Sequence, residues 1–159
     1  MLAWSESRTH EPPEADPRWP SLRTDEQARW QRILGAARQD PLAMLRWQRS
    51  RAIVSAFHDA GATMLAGTDA PMPRVYPGYS LHDELERLVE AGLTPLEALQ
   101  AATLEPARFL GIDAISGSVT VGKHADLVLL DANPPRDVRN ARRLRSVVLD
   151  GLSIGVIDP

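Results

Sequence analysis

The chain has 159 residues, 43% of them hydrophobic, with four histidines, no cysteine and a formal net charge of −3. That length allows one or two domains with a hydrophobic core, and a mildly acidic chain without a basic block is not built for nucleic acid. The lack of cysteine excludes disulfides and thiolate chemistry and fits a cytoplasmic protein. No apolar run nears the roughly 20 residues of a membrane helix, and the start, Met1-Leu2-Ala3-Trp4, lacks the pattern of a signal peptide.

Residues 1–22 carry Pro12, Pro13, Pro17 and Pro20 and read as an irregular lead-in that Trp4 and Trp19 can anchor. Thr24 and Gln27 then give a capping-box pattern before Ile33, Leu34 and Ala37. Asp40-Pro41 opens a second helix, with Leu42, Leu45, Ile53 and Phe57 at helical spacing and Gly61 as its end. The apolar run Thr63-Met64-Leu65-Ala66 follows as a short strand buried on both faces. It leads into Gly67-Thr68-Asp69-Ala70 and a proline-rich loop with Pro71, Pro73 and Pro77.

Ser80 and Asp83 give another capping box, with Leu81, Leu85, Leu88 and Val89 on one face and Gly92 as the stop. Thr94-Pro95-Leu96-Glu97 repeats the start signal, and a third short helix around Pro106 ends at Gly111. The remainder reads as about four strands: one in Gly117–Lys123, one in Asp126–Asp131, and two flanking the hairpin signal Asp150-Gly151. Such a β unit is too small for independent stability without further strands.

Asp69 is the leading chemical candidate. A carboxylate at the end of a buried strand lies where parallel barrels place their chemistry, and it can ligate a metal or accept a proton from bound water; the alternative is a cap on the turn before Pro71. His82, in the first turn of the next helix, is a candidate substrate contact or a surface histidine. Tyr76 can line a substrate pocket or pack the proline-rich loop, and Arg74 can pair with a substrate carboxylate or face solvent. No pair of histidines has metal-ligand spacing, and neither a phosphate loop nor a serine triad is present.

The order Ala66-Gly67-Thr68-Asp69-Ala70, Leu81-His82-Asp83-Glu84-Leu85, Ala91-Gly92-Leu93-Thr94-Pro95-Leu96-Glu97-Ala98-Leu99, Ala101-Ala102-Thr103, Gly117-Ser118-Val119 and Gly122-Lys123-His124-Ala125-Asp126-Leu127-Val128-Leu129-Leu130-Asp131 resembles the C-terminal part of the metal-dependent amidohydrolase superfamily. The resemblance spans roughly residues 41–159 and is strongest to the imidazolonepropionase-like and Xaa-Pro dipeptidase-like branch. It implies an α/β fold: a C-terminal fragment of a TIM-like (β/α)8 barrel, comprising the last strand and its flanking helices, plus part of a small β-sandwich. The expected division is 1–22 lead-in, 23–113 partial barrel and 114–159 partial sandwich.

It further implies a hydrolase that cleaves carbon–nitrogen bonds of a small amide, lactam or dipeptide by metal-activated water. Asp69 would be the catalytic carboxylate and a metal ligand, with His82, Arg74 and Tyr76 as substrate contacts. The cofactor would be a divalent metal, zinc, in the complete enzyme. The family's His-x-His and its other barrel ligands are absent from this sequence, so the chain alone is expected to hold no metal tightly. The competing expectation is an inactive fragment or assembly module. Either reading predicts self-association or a complementary chain, and neither involves nucleic acid or membrane.

Overall fold

The computed structural model describes residues 12–36, 42–70 and 72–155. The lead-in is folded where it is described. Pro13–Ala15 and Trp19–Ser21 form 3-10 turns, and Trp19 and Leu22 are buried with Trp30 and Tyr76. The Trp19 and Trp30 rings meet edge-on at 6.2 Å, and Trp30 meets Tyr76 at 5.0 Å, arrangements that aromatic quadrupoles favour. Trp4 and the Asp40-Pro41 start signal lie outside the described residues.

Five α-helices follow in the described chain: α1 Thr24–Ala36, α2 Ala43–Asp59, α3 Ser80–Glu90, α4 Pro95–Ala102 and α5 Leu104–Phe109. Their starts show which local signals survive tertiary packing. At α4 the capping box forms as read: the Thr94 hydroxyl accepts from the Glu97 N–H, and the Glu97 carboxylate takes the Thr94 N–H, with Pro95 in the first turn. At α3 it does not. Ser80 lies inside the helix, its Oγ accepts the Tyr76 N–H at 2.8 Å, and Asp83 turns instead to two arginines. At α1 the Gln27 amide donates to the carbonyls of Trp19 and Leu22, while Glu26 takes the Arg23 N–H.

The main core lies between α3, α4 and the 3-10 turn Val138–Arg142. Leu85, Leu88, Leu93, Ala98, Ala101, Val138 and Ala141 are buried there, with Val54 of α2 and Met64 and Ala66 packed alongside. Gly61, at φ 76°, ends the α2 region in the left-handed conformation. The expected strand Thr63–Ala66 does not form: these residues have no regular secondary structure, pair with no strand among the described residues, and leave Thr63 and Leu65 exposed rather than buried. Its Ala66 N–H instead reaches the Ala101 carbonyl of α4 at 2.8 Å. A parallel strand needs neighbours to take its backbone groups, and the described residues supply none.

The C-terminal sheet is a three-stranded antiparallel meander in the order β1 Leu127–Leu130, β2 Leu144–Leu149, β3 Leu152–Gly155. Val128 faces Val147, which faces Ile154, and a register shift falls between Leu129 and Leu130. Asp150 and Gly151 both have positive φ, at 49° and 77°, as the two-residue hairpin turn requires. The strand expected within Gly117–Lys123 is instead a run of turns and bends. Gly117 packs so closely on α5 that an added Cβ would lie 2.6 Å from the Ala107 Cβ, so this segment is held by helix contact rather than by a ladder.

Candidate active site around Asp69

The segment Gly67-Thr68-Asp69 leaves the core between α3 and α4. Asp69 is exposed and has φ 55°. A non-glycine residue in the left-handed region is uncommon, though aspartate tolerates it better than most, and such residues cluster at functional sites. Thr68 is half-buried and lines a pocket with Trp47, Val75, Ser80, Asp83, Glu84 and Arg87. The Arg87 guanidinium stands over the Trp47 ring at 5.1 Å and pairs with Glu90 at 2.7 Å, so one wall of the pocket is a cation stacked on an indole.

Glu84 is the unusual group in this wall. It is half-buried, and burial pushes its carboxyl above the ordinary carboxylate range. Asp83 beside it is fully engaged in ion pairs: Arg18 reaches one oxygen at 2.7 Å and Arg142 the other at 2.6 Å. Arg18 also pairs with Asp16 at 2.9 Å and lies 4.6 Å over the Tyr76 ring, and Arg142 also pairs with Glu86 at 2.8 Å. This chain of charges ties the lead-in, α3 and the Val138–Arg142 turn together on one side of the Asp69 loop.

The sequence-predicted residues are distributed around this frame. Tyr76 is almost fully buried against Trp30, and Arg74 is buried with φ 68°; both shape the loop between Asp69 and α3 from inside. His82 sits in the first turn of α3, half-buried, with Nδ1 enclosed and without a hydrogen-bond partner among the described residues. Burial pushes its imidazole below the ordinary histidine range; Arg142 adds to this, while Asp83 and Glu86 oppose it. The pocket beside Thr68 therefore gathers Asp83 and Glu84, residues that sequence reading took as a cap and as part of a helix. The available signal was position: Glu84 falls between Leu81, Leu85 and Leu88 on the apolar stripe of α3.

Whether these residues suit a metal can be judged from the donor set. A catalytic zinc site takes three protein ligands and keeps an open position. No group of three or more His, Cys, Asp or Glu side chains that could hold a metal ion occurs among the described residues. The described residues therefore do not assemble such a site. No helix among the described residues is long and apolar enough to cross a membrane.

Comparison with known proteins gives the setting of this site. The chain is 51% identical over 49 residues to the imidazolonepropionase of Shewanella frigidimarina (strain NCIMB 400), covering 31% of this chain and 12% of that protein. It is 44% identical over 54 residues to the N-acetylgalactosamine-6-phosphate deacetylase of Escherichia coli O157:H7, covering 33% of this chain and 14% of that one. Among solved structures, a Xaa-Pro dipeptidase with methionine bound in its active site superposes with a TM-score of 0.60 at 30% identity, over 66% of this chain and 25% of that one. The chain thus spans only a minor part of the relatives it matches, and its helices with a small non-barrel sheet are a portion of a larger amidohydrolase-type barrel fold. The model of the amidohydrolase family matches residues 40–153, more than two-thirds of the chain, and the chain belongs to that family.

Proposed function

We propose that this chain is the C-terminal part of a hydrolase that cleaves a carbon–nitrogen bond of a small amide, lactam or dipeptide, with Asp69 as the carboxylate that takes and returns a proton. The observation that carries the reading is the placement of Asp69: an exposed carboxylate in left-handed backbone, directly after a segment packed between α3 and α4. A positioned carboxylate of this kind is suited to general acid–base work. Asp69 is also proposed as one ligand of a divalent metal, zinc, whose remaining ligands would come from outside the described residues. In this reading His82 serves the substrate side of the same loop through its enclosed Nδ1, Arg74 and Tyr76 shape that loop from inside, and the complete protein works in the cytoplasm.

A second reading has its own support. The described residues do not assemble a metal site, and apolar side chains such as Ile53 and Phe57 on α2 are more than half exposed. Both fit a non-catalytic module that packs against another polypeptide. One experiment separates the two. A chimera is made in which residues 40–155 replace the matching C-terminal region of the Xaa-Pro dipeptidase, and metal-dependent dipeptide hydrolysis is measured. The enzyme reading expects turnover that falls at least roughly 10²-fold in Asp69→Asn, because the amide keeps the volume but cannot carry the proton. A folded, metal-loaded chimera whose Asp69→Asn form turns over normally would leave only the module reading.

A further inference from the structure

We propose that Arg18 is the positioning residue of the loop between Asp69 and α3: from the lead-in it bridges Asp16 and Asp83 across the face of Tyr76 and so holds that loop in place. The importance of the loop for substrate binding rests on the catalytic reading of Asp69; the bridge itself does not.

The loop carries a conformation that its own residues do not favour. Arg74 is buried with φ 68°, and backbone in that region persists only where its surroundings over-determine it. The bonds within the loop are short-range: the Val75 N–H donates to the Met72 carbonyl at 2.8 Å, the Tyr76 N–H to Ser80 Oγ at 2.8 Å and the Ser80 N–H to the Tyr76 carbonyl at 3.0 Å. They shape the turn without fixing where it lies. The lead-in supplies a contact that does. Its Asp16 is buried, and a carboxylate moved out of water must recover its hydration through hydrogen bonds. Arg18 provides them as a fork: Nε donates to Asp16 Oδ1 and Nη2 to Asp16 Oδ2, each at 2.9 Å, and the Arg18 backbone N–H adds a bond to Oδ1 at 2.9 Å. Nη1 points the other way and donates to Asp83 Oδ2 in the first turn of α3 at 2.7 Å. The guanidinium between them stands 4.6 Å over the Tyr76 ring, which also meets Trp30 edge-on at 5.0 Å. One planar cation thereby ties a carboxylate of the lead-in, the aromatic side chain of the loop and the start of α3. Arg142 donates to the other oxygen of Asp83 at 2.6 Å, so the α3 end of the bridge is held independently of the lead-in.

The test uses the double variant Arg18→Met with Asp16→Asn, which removes the bridge and neutralises the buried carboxylate with it. In the 15N-labelled full chain, exchange of the Val75 and Tyr76 amides should rise about tenfold or more, while the Leu88 and Ala98 amides of the main core keep their rates. Unchanged exchange at Val75 and Tyr76 would overturn the proposal. So would an equal rise at all four amides, because that is a loss of global stability rather than a released loop. If the double variant does not fold, Arg18→Lys decides: its point charge lacks the fork, so loop exchange should still rise about threefold or more, and wild-type exchange overturns the bridge. In the dipeptidase chimera lengthened to carry residues 12–155, the double variant should raise KM about tenfold or more at little-changed kcat and metal content. A loosened loop with wild-type KM would keep the bridge and overturn the substrate role of the loop.

Discussion

Glu97 shows how a single exposed side chain takes on a role that its surroundings define. Its carboxylate accepts the Thr94 N–H and the Thr94 hydroxyl, each at 2.7 Å, and stands 3.3 Å from His58 Nε2. These contacts, the backbone bond first, hold its pKa down to about 2 from an ordinary 4.5. A depressed carboxylate adds stability that is complete above the unfolded value and is lost as pH falls through the folded one. The advantage of the native protein over Glu97→Gln should therefore shrink between pH 4.5 and about 2, as read from thermal melts across that range, and added salt should weaken the His58 part. A difference between the two proteins that stays constant over the window would remove Glu97 as an acid-sensitive cap. At this scale the place of Asp69, a carboxylate directly after an apolar run, is a local pattern that the sequence shows. The burial of Tyr76 is not: it depends on Trp19 and Trp30, which lie far away in sequence.

Elements are bounded by local chemistry only where no stronger partner intervenes. The α4 box formed because Thr94 and Glu97 have each other and water, with His58 alongside. The matching signal at α3 gave way because Asp83 gains two guanidinium partners, each worth more than one backbone N–H. The turn-rich stretch after α5 is set by Gly117 in the same way. With φ 84°, and with the Ala107 Cβ at 2.6 Å and the Thr103 carbonyl at 3.1 Å from an added Cβ, Gly117→Ala should cost about 1–3 kcal/mol from overpacking, before any strain of the positive φ. Urea titration with an unchanged midpoint would show that the segment can move off α5 freely. The glycine was readable as a turn; that it is wedged against a helix was not, because the contact partner is chosen by packing.

For the molecule as a whole, the exposed apolar surface is the dominant fact. Ile53 and Phe57 on α2 and Val128, Leu149, Leu152 and Ile154 on the sheet lie roughly half exposed or more, and β1 and β3 are edges of the described sheet. Open edges and apolar faces promote association. The purified chain should therefore sediment as dimers or larger species at micromolar concentration, and addition of a polypeptide carrying the remaining barrel should dissolve those species into a mixed complex. A monodisperse, cooperatively unfolding monomer would contradict this. The same preparation should hold less than stoichiometric zinc; a full equivalent that is lost in Asp69→Ala would show a metal site the described side chains do not form.

What the sequence determined by itself is local and periodic. The helix of α4 with its cap, the hairpin at Asp150-Gly151, the glycine ends and the order of pieces that mark the family all depend on residues within a few positions of one another. What only the tertiary structure decided is where side chains with several possible partners spend their hydrogen bonds. Asp83 chose Arg18 and Arg142, and Thr63–Ala66 formed no ladder among the described residues. The physical reason is that propensity and capping are short-range energies of about 1 kcal/mol or less, whereas buried charges and unpaired backbone groups cost more than that and are settled by whichever distant group the fold brings near.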